Sequence, residues 1–183
     1  LKGTLVFLLA YLLYNDGIQT VISSASIFLS QELFVSRGIE TDRTVLFISF
    51  LIAQFVAFFG SLIFERIANF TSSKTAILVS LVVWSGIVSY AYTSLENVTQ
   101  AYIMSGFIGL VLGGSQAISR SLFSKMIPAG KESGFFGIYE ISERGTSWIG
   151  PIVFGLVAQL TDSYRPAILA LIAFFILGFI VLA

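Results

Sequence analysis

From Thr44 to Phe64 the chain runs 21 residues without a charge. As a helix rising about 1.5 Å per residue, such a run crosses the roughly 30 Å hydrocarbon core of a bilayer. Comparable segments cover residues 4–30, 75–93, 98–121, 134–160 and 165–183, so the chain reads as six spans. Runs such as Leu51-Ile52-Ala53-Gln54-Phe55-Val56 are continuous and do not alternate apolar with polar. That excludes the strands of a membrane barrel. Only helices then satisfy every backbone polar group in lipid, so the expected fold is all-α and transmembrane.

Composition narrows the function classes. Charged residues are 11% of the 183 and hydrophobic ones 56%, which leaves too little polar surface for a soluble domain. With no Cys and no His, thiol and imidazole catalysis and the usual zinc sites are gone. The net charge is 0, and no polybasic stretch marks a nucleic-acid partner. The chain is therefore read as a non-enzyme without cofactor or metal. The first span is no signal peptide, because it is too long and carries Asn15, Asp16 and Gly17 at mid-depth.

The expected connections are short and polar, at 31–43, 65–74, 94–97, 122–133 and 161–164. Lys2, Arg66, Lys74, Arg120, Lys125 and Lys131 fall on one side, and Arg37, Arg43 and Arg165 on the other. Six against three puts both ends of the chain in the cytoplasm. A start at Leu1 and an end in an apolar run read as six helices of a longer membrane protein. A complete six-helix protein is the alternative.

An ionisable group at mid-bilayer costs at least about 2.5–3.5 kcal/mol, so such residues are where function is sought. In the first span Asn15, Gln19, Ser23 and Ser26 follow helical spacing, flanked by Asp16, Thr20 and Ser24. This side must face protein or water, and Gly17 invites a local break there. Interhelical hydrogen bonding is the purely structural reading of the same residues. In the fifth span Glu140 and Arg144 stand four apart in the favourable order, with Glu143 beside them and Pro151 expected to kink the helix. In the fourth span Ser105, Gly109, Gly113, Ala117 and Ser121 recur every fourth residue, a small-residue face for close helix packing. Gln116 and Arg120 lie on another side, within reach of the fifth span's charges. Asp16 is the one deep aspartate, so an intramembrane aspartyl protease lacks its second carboxylate, and a serine hydrolase lacks its His.

Three strings carry a family resemblance. Tyr14-Asn15-Asp16-Gly17-Ile18-Gln19-Thr20 resembles the start of the seventh helix of the autophagy-related vacuole effluxer-like family and its bacterial relatives, within the major facilitator superfamily. Gly113-Gly114-Ser115-Gln116-Ala117-Ile118-Ser119-Arg120-Ser121-Leu122-Phe123 is similar to its tenth helix. Phe135-Phe136-Gly137-Ile138-Tyr139-Glu140 and Arg144-Gly145-Thr146-Ser147-Trp148-Ile149-Gly150-Pro151 are similar to its eleventh. The resemblance implies the C-terminal half of a twelve-helix secondary transporter, helices seven to twelve, in two inverted three-helix repeats. It implies amino-acid export for yeast-type members. The loop Glu65 to Lys74 departs from the superfamily pattern Gly-x-Leu-Ala-Asp-Arg-x-Gly-x-Lys: Asn69 replaces the acidic residue and Ser72 a glycine, which weakens the latch this loop makes.

The expectation is thus a transporter of a small polar solute, efflux-type and proton-coupled, working by alternating access against a missing N-terminal half. Asn15, Asp16, Gln19, Thr20 and Ser23 would serve solute and coupling ion. Gln116, Arg120, Glu140, Glu143 and Arg144 would switch conformation. The expected membrane is the bacterial plasma membrane, or else a vacuolar one. An ion-channel subunit and a non-transporting scaffold are the competing classes.

Overall fold

The computed structural model describes residues 2–128, 130–144 and 147–183, the Arg144 side chain excepted. Among the described residues eight α-helices follow one another: α1 Lys2–Leu33, α2 Arg43–Phe70, α3 Ser73–Ser94, α4 Val98–Ser124, α5 Glu132–Arg144, α6 Ile149–Thr161, α7 Tyr164–Ala170 and α8 Ile172–Leu182. A 3₁₀ turn at Val35–Arg37 follows α1. No strand occurs among the described residues. Among the described residues five stretches are long and apolar enough to cross a membrane: Lys2–Arg37, Arg43–Phe70, Ser73–Ser94, Val98–Ser124 and Tyr164–Leu182. The chain therefore has the all-α architecture of a multi-pass membrane protein.

Helix starts follow local chemistry. Asp42 accepts the Thr44 amide at 2.8 Å to open α2, and Ser72 accepts that of Thr75 at 3.0 Å to open α3. Asn97 and Gln100 form a reciprocal capping box at α4. The connection expected at 65–74 shrinks to Thr71 and Ser72, because nothing in Glu65–Phe70 breaks a helix and α2 simply continues.

Two expectations need correction. The span expected at 134–160 is not one helix, since a turn at Ser147 and Trp148 separates α5 from α6. Pro151 explains the place. In an unbroken helix it would have to donate to the Ser147 carbonyl, and it has no N–H; in the first turn of α6 that donor is not required. The break thus falls one turn before the proline instead of a kink at it. Conversely, α1 runs unbroken through Gly17. That glycine provides close approach: a Cβ there would lie 2.9 Å from the Phe174 Cβ of α8. Gly178 of α8 does the same for Tyr14 of α1.

The tightest pair is α2 with α4. A Cβ on Gly109 or Gly113 would run into the backbone carbonyls of Ala53 or Ala57, and one on Gly60 into that of Leu110. Backbone meets backbone over this stretch, as small residues at every fourth position allow. Farther along, Ala117 and Ser121 are exposed and line a crevice with Glu65, Asn69 and Lys125, where the two helices diverge. Apart from α4, α2 is nearly bare, with Phe47, Phe50, Phe55, Phe58 and Leu62 exposed. The larger body packs α1 against α8, α5 and α6, with α3 between α4 and α8. Its core is aromatic: Trp84 stacks on Phe175, and Tyr11 on Tyr139 at 4.5 Å between ring centres.

Candidate functional site

Every helix leaves backbone donors free at its start and acceptors free at its end. Where a span breaks inside a membrane-embedded bundle, those groups need partners from elsewhere. The α5–α6 break finds them on α1. Asn15 Nδ2 donates to the Glu143 carbonyl at 3.1 Å, at the end of α5, and Ser147 Oγ donates to the same carbonyl at 2.8 Å. Asp16 Oδ2 accepts the Gly150 amide at 2.8 Å, in the first turn of α6. No side chain of α6's own N-cap, Trp148, caps that helix. Two consecutive α1 residues therefore tie down both sides of the break.

Glycine lets α6 come this near. A Cβ on Gly150 would collide with Thr20 Oγ1 and lie 3.1 Å from the Asp16 carbonyl oxygen. Thr20 Oγ1 is itself held, donating to that Asp16 carbonyl at 2.7 Å.

Asp16 is 1% exposed, and its second oxygen, Oδ1, has no hydrogen-bond partner. A buried carboxylate is costly unless its oxygens are bonded and its charge matched. Here one amide and the positive end of α6 support the first oxygen, and nothing among the described residues supports the second. Among the described residues no three His, Cys, Asp or Glu side chains converge on a metal-sized site. What the arrangement can do is take up one cation or proton on a single buried carboxylate.

The other expected site residues are spread around this centre. Gln19 is half-buried, and Ser23 is exposed with its hydroxyl donated to the Thr20 carbonyl at 3.2 Å. Ser26 lies elsewhere, lining a cavity of about 160 Å³ between α1, α2 and α4 with Ser49, Gln54 and Ser105. Ser49 is buried there with its hydroxyl unbonded. Arg120 pairs with Glu140 at 3.3 Å, their side chains 62% and 40% exposed, and Gln116 is exposed nearby. Glu143 contributes its backbone carbonyl as above. The Arg144 side chain and the Gly145-Thr146 step lie outside the described residues.

Two features escaped the sequence reading. Tyr14 shares a 2.6 Å hydrogen bond with Ser119, which donates on to the Ser115 carbonyl, linking α1 to α4 beside the site. At the opposite end of the bundle Arg165 binds Glu32 at 2.7 Å and the carbonyls of Tyr92 and Leu95 at 3.0 and 2.6 Å. The only sequence signal for that cluster was a lone Arg beside Pro166.

Comparison with known proteins adds the wider context. A family model described as vacuole effluxer Atg22 like matches residues 1–183. The uncharacterized MFS-type transporter YxiO of Bacillus subtilis is 32% identical over 182 residues, taking in 100% of this chain and 41% of that protein. Autophagy-related protein 22 of Saccharomyces cerevisiae is 31% identical over 179 residues, 90% of this chain and 32% of that protein. The same-named protein of Eremothecium gossypii is 31% identical over 174 residues, 90% of this chain and 33% of that protein. The chain thus spans less than half the length of these relatives.

Proposed function

Because the chain belongs to the Atg22-like vacuole effluxer family of major facilitator-type membrane proteins, we propose that it is one six-helix half, the C-terminal one, of a secondary transporter that exports a small polar solute by alternating access. The observation that carries this reading is Asp16, a buried carboxylate with one oxygen free. A charge that costs this much in a membrane is kept where it binds something that moves. Asp16 takes up the coupling proton, and the exposed side of α1 at Ser23 and the half-buried Gln19 face the solute path shared with the other half. Amino acids are the proposed solute class, since a carboxylate and neutral hydrogen-bonding groups suit an ammonium-bearing zwitterion. α5 and α6, too short singly at 13 residues each, together make the remaining crossing, the fifth in chain order. The exposed pair Arg120–Glu140 changes partners between the two states, and Gln116, Glu143 and Arg144 are proposed to take part in the same switch.

The test is gradient-driven amino-acid accumulation by the full-length protein in proteoliposomes. Asp16→Asn lowers accumulation at least about tenfold while solute exchange without a gradient survives. Wild-type accumulation by Asp16→Asn overturns the assignment, and conductance without any gradient requirement favours a channel. In the same assay Arg120→Glu impairs transport and Arg120→Glu with Glu140→Arg restores part of it; an unimpaired single variant makes the pair passive.

Orientation has its own check. This chain has no native cysteine. In intact cells a membrane-impermeant maleimide labels Asp162→Cys and not Lys131→Cys; the reverse pattern inverts the topology.

A further inference from the structure

Asp16 has two oxygens with different occupations: Oδ2 holds the Gly150 amide, and Oδ1 has no hydrogen-bond partner among the described residues. The helix it caps belongs to a different part of the chain, 134 residues away. Whatever binds Oδ1 therefore acts on the same group that fixes the start of α6. We propose that Asp16 is both the proton-binding carboxylate and the removable cap of α6, so that taking up a proton frees the first turn of α6 from α1 and lets that end of α6 act as a hinge. This rests on the reading of Asp16 as the coupling residue.

The direction follows from electrostatics. Ionised Asp16 makes a charge-assisted bond to Gly150 and lies at the positive end of α6. A protonated carboxyl keeps at best a neutral, weaker bond and loses the charge–dipole attraction. Pro151 increases the dependence. It contributes no N–H, and the next amide, that of Ile152, already bonds the Trp148 carbonyl at 3.2 Å. Gly150 is thus the amide of the first turn that depends on α1. Asn15 does not titrate, so its hold on the Glu143 carbonyl persists in both states and keeps α5 in place while α6 is released. The α5 contact with α1 is then fixed and the α6 contact switched.

No other group stands in for Asp16 on α6 or α8, since residues 149–161 and 172–182 carry no charged or titratable side chain. On α5 the titratable and charged groups are Glu132, Tyr139, Glu140, Glu143 and Arg144, and Arg120 lies on α4 with Glu140 as its partner. On α1 itself Tyr11 and Tyr14 flank the site. Those of α2 and α7 lie at helix ends: Arg43, Glu65 and Arg66 on the first, Tyr164 and Arg165 on the second. The turn after α1 adds Arg37.

Hydrogen exchange on the full-length protein in nanodiscs tests the hinge. Amides in 147–155 lose at least about fivefold in protection, corrected for intrinsic exchange, between about pH 8 and about pH 5. Amides in 101–118 of α4 hold theirs. Asp16→Asn shows the low value at both pH values. Unchanged protection of 147–155 across pH in the wild type, or full protection in a folded Asp16→Asn, overturns the hinge. The wild-type titration decides the matter even if the variant misfolds. The transport assay stays separate: accumulation lost in Asp16→Asn with pH-independent exchange means that coupling at Asp16 stands and the hinge falls. Accumulation retained means the underlying reading falls.

Discussion

Gly113→Ala lowers the thermal unfolding midpoint of the protein in detergent by about 5–10 °C, while Gly86→Ala leaves it level or slightly raised. The difference lies in what the new methyl meets. At Gly113 it meets the Ala57 carbonyl and the backbone behind it, which cannot rotate away as a side-chain end could. Helices α2 and α4 would have to separate, and Gly109 and Gly60 would lose their close contacts with Ala53 and Leu110 in the same movement. Overpacking of this kind costs roughly 1–3 kcal/mol, more where backbone must shift, and a folding unit of about 150–250 residues moves by about 2–4 °C per kcal/mol. At Gly86 an added Cβ would meet no atom within 4 Å beyond its chain neighbours and its own helix backbone, so the methyl adds only helix propensity. Equal behaviour of the two variants would show that the backbone contact carries no stability. The effect is large for a second reason: α2 has little else to hold it, its remaining surface being apolar and exposed.

Arg165→Ala costs about 3 kcal/mol, read as a lowered midpoint in the same assay, and Glu32→Gln costs less. Arg165 and Glu32 are 28% and 12% exposed in their side chains, so the pair is partly withdrawn from solvent. Removing one member of a withdrawn pair leaves the other uncompensated. The guanidinium also occupies the Tyr92 and Leu95 carbonyls at the C-terminal end of α3, a helix with no basic residue in its own last turn. Glu32→Gln keeps those two carbonyl bonds, which is why its effect is the smaller. Arg165→Lys keeps the charge but cannot serve three acceptors in a planar fork, and falls between. Shifts below about 0.5 kcal/mol for both Arg165→Ala and Glu32→Gln would make the cluster incidental.

What was readable in the sequence was whatever acts over one helix or one turn. Apolar runs marked six spans, and five of them are long and apolar enough to cross among the described residues, because bilayer thickness is a length that a run of residues can match. The four-residue repeat Ser105, Gly109, Gly113 announced a close-packed face, and the structure supplies its partner in α2. Asp16 stood out because charge in lipid is expensive wherever its neighbours come from. The contacts around it were hidden, since Asn15 and Asp16 meet groups 128 and 134 residues away and those groups are backbone, which no residue letter encodes. The Arg165 cluster was hidden likewise, at separations of 133, 73 and 70. Pro151 gave a true signal that was read as a kink at the residue itself. A proline penalises the turn before it, and the chain answers by ending one helix and starting another.

The cap that α1 lends to α6 also sets an order of assembly. α1 is made before α5 and α6 and must enter the bilayer with Asn15 and Asp16 still lacking the carbonyl and amide they will bind. Their partners are synthesised some 134 residues later. At roughly 5–20 residues per second, Asp16 waits on the order of ten seconds for Gly150. During that time water, the insertion machinery or a chaperone has to shelter the carboxylate. Once α5 and α6 arrive, the polar debt of three segments is settled together, so completing the break and committing α1 to its final depth become one event.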